Sequence, residues 1–527
     1  MVLRSFERIR KTLFLAFGLA VLAGAAARAQ EAPALELAID AGKISGAALE
    51  DGVRVYRGIP FAKPPVGALR WRPPEPVAPW EGVRRCVEFG PSCPQPASLI
   101  GNVPGKESED CLYLNVWTGA RTPADRLPVM VWIHGGSHTT GAGSVPTYDG
   151  ADLARQGVVL VTINYRLGPF GNFAHPLLSA ESEHHSSGNY GLEDEIAALG
   201  WVKKNVAAFG GDPSRVTIFG ESAGAQDVTC LLVSPLAKGL FQRAIAESGT
   251  AMTHLRRLAE QESVGEKIAK DLHADSLALL REKSADEILA AAKPTQGFFA
   301  EGNRLGPLVD GWCLPEDPGE LVEAGKTAHV PVLTGTNADE GTIFTRPLPV
   351  KHKAGYELLA RRLYGDQAAA VLALFPVEKD ADLEGALDAV TRVSAFVAPA
   401  RRLVRAVAKA GDKAWLYEFT RVPAAAKALS LGAFHGLEIR YVFANLDASK
   451  SMRYEAADRA LSKVMSALWV RFATTGDPNG EGLPAWPAYD AKKDEHLELG
   501  DTVKTGSGLD REACDLFDAV ERARHSR

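Results

Sequence analysis

Ser222 lies in the run Phe219-Gly220-Glu221-Ser222-Ala223-Gly224, the one G-x-S-x-G of the chain. A short apolar run with strand character precedes it (Val216 to Phe219), and a run that reads as a helix follows (Ala225 to Val233). A serine on a sharp strand-to-helix turn is the geometry of an exposed nucleophile. Its hydroxyl is a poor nucleophile until a base takes the proton. Seven histidines follow it in the chain. In the order serine, acid, histidine, each later group belongs in a loop after a strand. Val332 to Gly335 reads as such a strand and leads to Asp339 and Glu340, either of which could be the acid. The strand-like run 415–419 leads on to Ala433-Phe434-His435-Gly436, and His435 is the candidate base. An attacked carbonyl becomes an oxyanion and needs preset donors. The glycine-rich turn His134-Gly135-Gly136-Ser137 and the N–H of Ala223 could supply them.

These loops need a scaffold. Val129 to Ile133 and Val158 to Ile163 are continuous apolar runs, suited to strands buried on both faces. Tyr148 to Gln156 and Gly191 to Phe209 read as helices between strands. Alternating strand and helix implies an α/β fold with a mostly parallel sheet covered on both faces. Residues 30–125 alternate strand-like runs with Pro-rich loops, 255–330 and 350–410 read as mainly helical, and Ser451 to Ala473 as an amphipathic helix. The tail from Ala513 to Val520 has helical spacing, expected to cap the surface.

The 527 residues carry a net charge of −6, which gives no electrostatic case for nucleic-acid binding. Residues 1–29 read as a secretory signal: basic from Arg4 to Lys11, apolar from Leu13 to Gly24, then Ala27-Arg28-Ala29 before Gln30. Residues 30–527 are then one exported domain, periplasmic or secreted, with no membrane span expected in the mature form. Neither a C-x-x-C nor an H-E-x-x-H occurs, so no metal site is expected, and the His184-His185 pair lies in a polar loop. Of six cysteines, Cys230 sits on an apolar helix and reads as a buried thiol. Bridging Cys93 to Cys111 would close a short loop, worth about 3 kcal/mol in the chain-entropy model.

Several longer blocks carry a resemblance. They are Tyr56-Arg57-Gly58-Ile59-Pro60-Phe61-Ala62, Glu109-Asp110-Cys111-Leu112-Tyr113-Leu114-Asn115-Val116-Trp117, Asn164-Tyr165-Arg166-Leu167-Gly168 and Ser234 to Phe241, together with the serine block. The chain resembles the type-B carboxylesterase and cholinesterase family of α/β-hydrolases over nearly the whole mature length. That resemblance implies an α/β-hydrolase fold with large helical insertions and a Ser222–Glu340–His435 triad. It places the oxyanion donors on Gly136, Ser137 and Ala223, and supporting roles on Glu221, Glu438 and Ser248. It also implies a Cys93–Cys111 disulfide and internal ion pairs Arg70–Glu109 and Arg166–Asp194.

The expected activity is cofactor-free hydrolysis of small-molecule carboxylic esters through an acyl-enzyme, by a monomer or homodimer. Where the family usually has a third glycine and an aromatic residue, this chain has Ser137 and His138. His138 could contact a polar or anionic substrate group or be hydrogen-bonded in the pocket wall. A specialised esterase for bulky or polyanionic esters, such as the tricarballylate esters of fumonisin toxins, is therefore an alternative. A carbamate, amide or thioester hydrolase is another. A non-catalytic binding protein is a third, although members that have lost catalysis typically lack the nucleophile.

Overall fold

The computed structural model describes residues 35–97, 103–295 and 302–525; the expected signal segment, residues 1–29, lies outside them. Its main sheet runs, edge to edge, Val503–Ser507, Glu495–Leu499, Ala414–Phe419, Val332–Asn337, Arg243–Glu247, Gly211–Glu221, Leu127–Ile133, Val159–Ile163, Tyr113–Thr118, Arg54–Pro60, Ala47–Ala48. Pairing is parallel from Val159–Ile163 through to Glu495–Leu499 and antiparallel toward both edges. A smaller sheet joins Glu36–Ile39, Gly42–Ser45 and Val83–Arg85.

The apolar runs have the burial the sequence implies. Met130 to Ile133 are wholly buried. The period-two alternation sends Val129, Val131 and Ile133 into one core and Met130 and Trp132 into the other. The first core is covered by the helix Tyr190–Asn205, which buries Leu192, Leu199 and Val202. The second is covered by Ala456–Thr475, which buries Met465, Leu468, Trp469 and Phe472. The side chain of Asp458 accepts the Glu455 N–H at 2.7 Å to start that helix, and Gly476, at φ +78°, stops it.

The seven parallel strands all end on one side, where open α/β sheets carry their sites. Ser222 follows Gly211–Glu221, Ser248 follows Arg243–Glu247, and the glycine-rich turn follows Leu127–Ile133. The sequence reading needs correction in two places. Asn303 to Asp317 is an irregular segment rather than helix, and the tail helix Arg511–His525 sends Val520 and Glu521 into a cavity at that same side.

Candidate functional site

Ser222 stands between the strand Gly211–Glu221 and the helix Ala223–Val233 with φ +57° and ψ −117°, a conformation that costs about 1–3 kcal/mol and persists only when its surroundings impose it. Those surroundings are visible. The Ser222 N–H donates to Glu247 O at 2.9 Å, and Ser222 O accepts the Gln226 N–H at 3.0 Å. Gly220 and Gly224 let the turn press on the neighbouring strand. A Cβ at Gly224 would stand 2.1 Å from Ile133 O, and one at Gly220 would stand 2.6 Å from it. The Ala223 N–H opens the helix, so it is one of the donors that a helix leaves without an internal acceptor.

The structure chooses between the two acids after the strand Val332–Asn337. Glu340 Oε2 lies 2.6 Å from His435 Nδ1, and its Oε1 accepts the Asn337 N–H at 2.7 Å. Asp339 instead accepts the Ala433 N–H at 2.7 Å, fixing the loop that carries the histidine. Both Glu340 and His435 are buried, and the imidazole is flanked by Phe344 and Phe396, with ring centroids 5.0 and 4.9 Å away. His435 Nε2 makes no hydrogen bond in this state and sits 3.0 Å from Glu221 Oε1.

Carboxyls crowd this histidine. Glu438 accepts from Ser248 Oγ at 3.2 Å and from Asn337 Nδ2 at 2.5 Å. Glu247, which sequence reasoning missed, accepts from Trp469 Nε1 at 2.8 Å. Burial raises the carboxyls of Glu221 to about 8 and Glu438 to about 7, and pushes Glu247 well above its ordinary range. His435 feels opposed effects. Burial pulls its pKa down, but Glu221, Glu340 and Glu438 more than offset it and leave it near 9. Alternation along a strand hints at a buried Glu247, but nothing local points to Trp469 as its donor.

The glycine-rich turn is bent in an unusual way. Gly136 has φ +108°, and Ser137 and His138 both adopt left-handed conformations at φ +58° and +55°. Thr139 and Thr140 N–H groups donate to Gly136 O at 3.0 Å each. His138 is buried, and its Nε2 lies 2.9 and 3.0 Å from the two oxygens of Asp227 on the helix Ala223–Val233. Of the two readings of His138, the geometry has the one hydrogen-bonded in the wall: one nitrogen is committed to Asp227, and His138 lines the cavity. Asp227 in turn faces Glu195, a buried carboxyl held well above its normal range by burial and by Asp227 itself.

Ser137, His138, Ser222, Ala223 and Ser248 line one cavity of about 440 Å³. Its other walls come from residues 249–261, 304–307, 344, 363–402 and the tail helix. The expected ion pairs are present: Arg166 is bidentate on Asp194 at 2.7 Å, and Arg70 reaches Glu109 at 2.5 and 2.7 Å. The Cys93–Cys111 disulfide is not. Both residues are buried free thiols that interact with each other, and Cys93 Sγ accepts the Leu167 N–H at 3.3 Å. Cys230 is a buried thiol, as its helix implied. No cluster of metal-ligating side chains occurs among the described residues, nor any helix long and apolar enough to cross a membrane.

The family model that matches is the carboxylesterase family, over residues 33–517. A fumonisin B1 esterase from Sphingopyxis macrogoltabida is 40% identical over 494 residues, covering 90% of this chain and 88% of that one. A para-nitrobenzyl esterase from Bacillus subtilis (strain 168) is 40% identical over 477 residues, covering 88% and 94%. A solved structure of a PNB esterase superposes with a TM-score of 0.80 at 36% identity, over 92% of this chain and 99% of that one.

Proposed function

The chain belongs to the carboxylesterase family and hydrolyses carboxylic esters, and from that premise we propose that it does so through an acyl-enzyme on Ser222. The observation that carries this reading is the strained Ser222 turn opening into the same cavity wall as Ser137 and Ala223, with the buried Glu340–His435 pair behind it.

Each step follows from a group already placed. His435 takes the Ser222 proton as Oγ attacks the ester carbonyl. Glu340 accepts from Nδ1, which fixes the tautomer with Nε2 as the base and stabilises the imidazolium. The N–H groups of Gly136, Ser137 and Ala223 receive the oxyanion; each such donor is worth roughly 2.7–4 kcal/mol of barrier. His435 then protonates the departing alcohol and activates the water that releases the acid. Glu221, Glu438 and Ser248 position and bias this centre rather than touch the reacting bond.

Turnover of p-nitrophenyl butyrate by wild type and by Ser222→Ala tests the reading. Loss of turnover in Ser222→Ala, with an acyl-serine trapped by mass spectrometry in wild type, is the expected result. Turnover retained by the alanine variant would refute it.

Export belongs to the same proposal, with cleavage after Ala29 and pairing of Cys93 with Cys111 in an oxidising compartment. The closeness of those two thiols supports the pairing. The N-terminal sequence of the mature protein, and its mass after thiol alkylation with and without reduction, check both.

A further inference from the structure

The helix Leu383–Arg392 does not run straight on into the helix Ala398–Lys409. Between them Val393–Val397 forms one π turn, closed by the Ala398 N–H donating to the Val393 carbonyl five residues back. Pro399 supplies the cause. It has no N–H to give the Ala395 carbonyl, and in an α-helix its ring would clash with that oxygen, so the turn opens there. Single π turns inside α-helices recur at functional sites.

The extra residue changes what the helix shows to the cavity of Ser222. Thr391, Ser394, Ala395 and Ala398 line that cavity, at the spacing of one helix face. At 3.6 residues per turn, Phe396 would point about 140° away from Thr391. It lines the same cavity instead. Its buried ring lies 4.9 Å from the His435 imidazole, centroid to centroid, with 48° between the planes. Phe344 lies 5.0 Å from the same imidazole, and the two phenyl rings are 6.1 Å apart, so they form a corner around the histidine.

The hydrogen bonds show why such a corner is needed. His435 Nδ1 is held by Glu340 at 2.6 Å, while Nε2 makes no hydrogen bond in this state. One bond fixes a nitrogen but leaves the ring able to tilt about it. Packing must then keep Nε2 aimed. The same helix also reaches the acid: a Cβ at Gly341, beside Glu340, would stand 2.7 Å from the Asp388 carbonyl oxygen. One interrupted helix therefore presses on the loop of Glu340 at Asp388 and on the ring of His435 at Phe396.

We propose that Phe396, presented by the π turn before Pro399, is a positioning residue for the base: it holds the tilt of His435 and acts through that ring rather than through the ester. The inference rests on the Ser222–His435 reading and adds to it the element that aims the base.

Phe396→Met keeps much of the bulk and loses the flat ring, and Phe396→Leu loses both. Each is assayed with wild type on phenyl acetate, p-nitrophenyl butyrate and p-nitrophenyl octanoate. His435 serves acylation and deacylation alike, so a misaimed base slows both steps and leaves KM alone. In both variants kcat falls about tenfold or more, by the same factor for all three esters, with KM within about twofold of wild type. The thermal midpoint of Phe396→Met stays near wild type; if Phe396→Leu fails to fold, the methionine variant decides alone. A loss that appears in KM and grows with acyl length would make Phe396 a pocket wall and overturn the proposal. So would wild-type kcat in the methionine variant, or a collapse of its thermal midpoint, which would make Phe396 a folding residue. Turnover retained by Ser222→Ala would mark failure of the nucleophile assignment, not of the role of Phe396.

Discussion

Replacing Glu221 by Gln should move the acid limb of the pH–rate profile downward. Glu221 Oε1 is 3.0 Å from His435 Nε2, the nitrogen that must be unprotonated to act as base. Two unit charges at that separation attract by roughly 5 kcal/mol at an effective dielectric constant of about 20. Burial opposes this and the other carboxylates add to it, and the result leaves His435 near 9 rather than 6.5. Burial raises the Glu221 carboxyl itself to about 8, and the histidine it faces opposes that rise. The sign follows directly. A raised pKa delays appearance of the free base, so wild-type kcat/KM keeps rising through the alkaline range. The glutamine variant keeps the burial penalty and loses the largest attraction. Its limb should fall by about two units, equivalent to roughly 3 kcal/mol. The assay is kcat/KM for p-nitrophenyl butyrate from pH 5 to 10, corrected for spontaneous hydrolysis. The ratio of variant to wild type should climb as pH falls from 9 to 6, whatever the plateau does. Superimposable limbs, or a limb displaced upward, would refute the argument that Glu221 sets the proton affinity of His435.

Gly224→Ala should destabilise the fold and cripple turnover together, because its Cβ would meet Ile133 O at 2.1 Å and His134 O at 2.9 Å, backbone atoms that a side-chain rotation cannot clear. The cost should reach or exceed the upper end of the roughly 1–3 kcal/mol typical of overpacking, read by chemical denaturation; wild-type stability would show that the close approach is not real. Glu193→Gln should stabilise the protein at pH 9 but little at pH 5. Burial raises the Glu193 carboxyl to about 8 despite the nearby Arg166, so the stability its bound proton contributes is full below about 4.5 and lost as pH rises toward 8. A gap in thermal midpoint between variant and wild type that stays constant from pH 5 to pH 9 would contradict this.

Much of the frame could be read without coordinates because its signals are local. A five-residue apolar run has few other fates than a buried strand, and Val129 to Ile133 met that fate with both faces covered. The Ser222 turn was legible for the same reason, since glycines two places either side are a local requirement. The choice between Asp339 and Glu340 was not, because it depends on which carboxyl the chain turns toward a histidine about a hundred residues away. The family resemblance supplied what spacing could not. Arg256 and Arg304 stood in stretches that looked like ordinary charged helix faces, and only the irregular segment after Asn303 brings them into one cavity. Buried Glu247, Glu195 and Asp227 were missed for a related cause: a carboxyl on an apolar face reads as an exception until its distant partner is seen.

At the Ser137-His138 pair, strain and restraint can be weighed against each other. Two successive non-glycine residues in the left-handed region cost about 1–2 kcal/mol each. The turn persists because it is held at many points. His138 O accepts the Gly168 N–H at 2.6 Å, and Thr139 Oγ1 reaches both Ser137 O and Thr295 O at 3.1 Å. The buried His138–Asp227 contact adds the restraint that bears most on chemistry. Asp227 lies one turn along the helix that begins with Ala223, so this contact ties the turn carrying Ser137 to the helix carrying Ala223. The two halves of the proposed oxyanion site are thereby fixed to each other and not merely to the sheet. Behind Asp227 lies Glu195, whose carboxyl is held well above its ordinary range by burial and by Asp227. A glycine in place of Ser137 would relieve part of the strain, but the His138–Asp227 contact is what ties the turn to the helix, so this site holds its proposed donors in place through a buried side-chain contact.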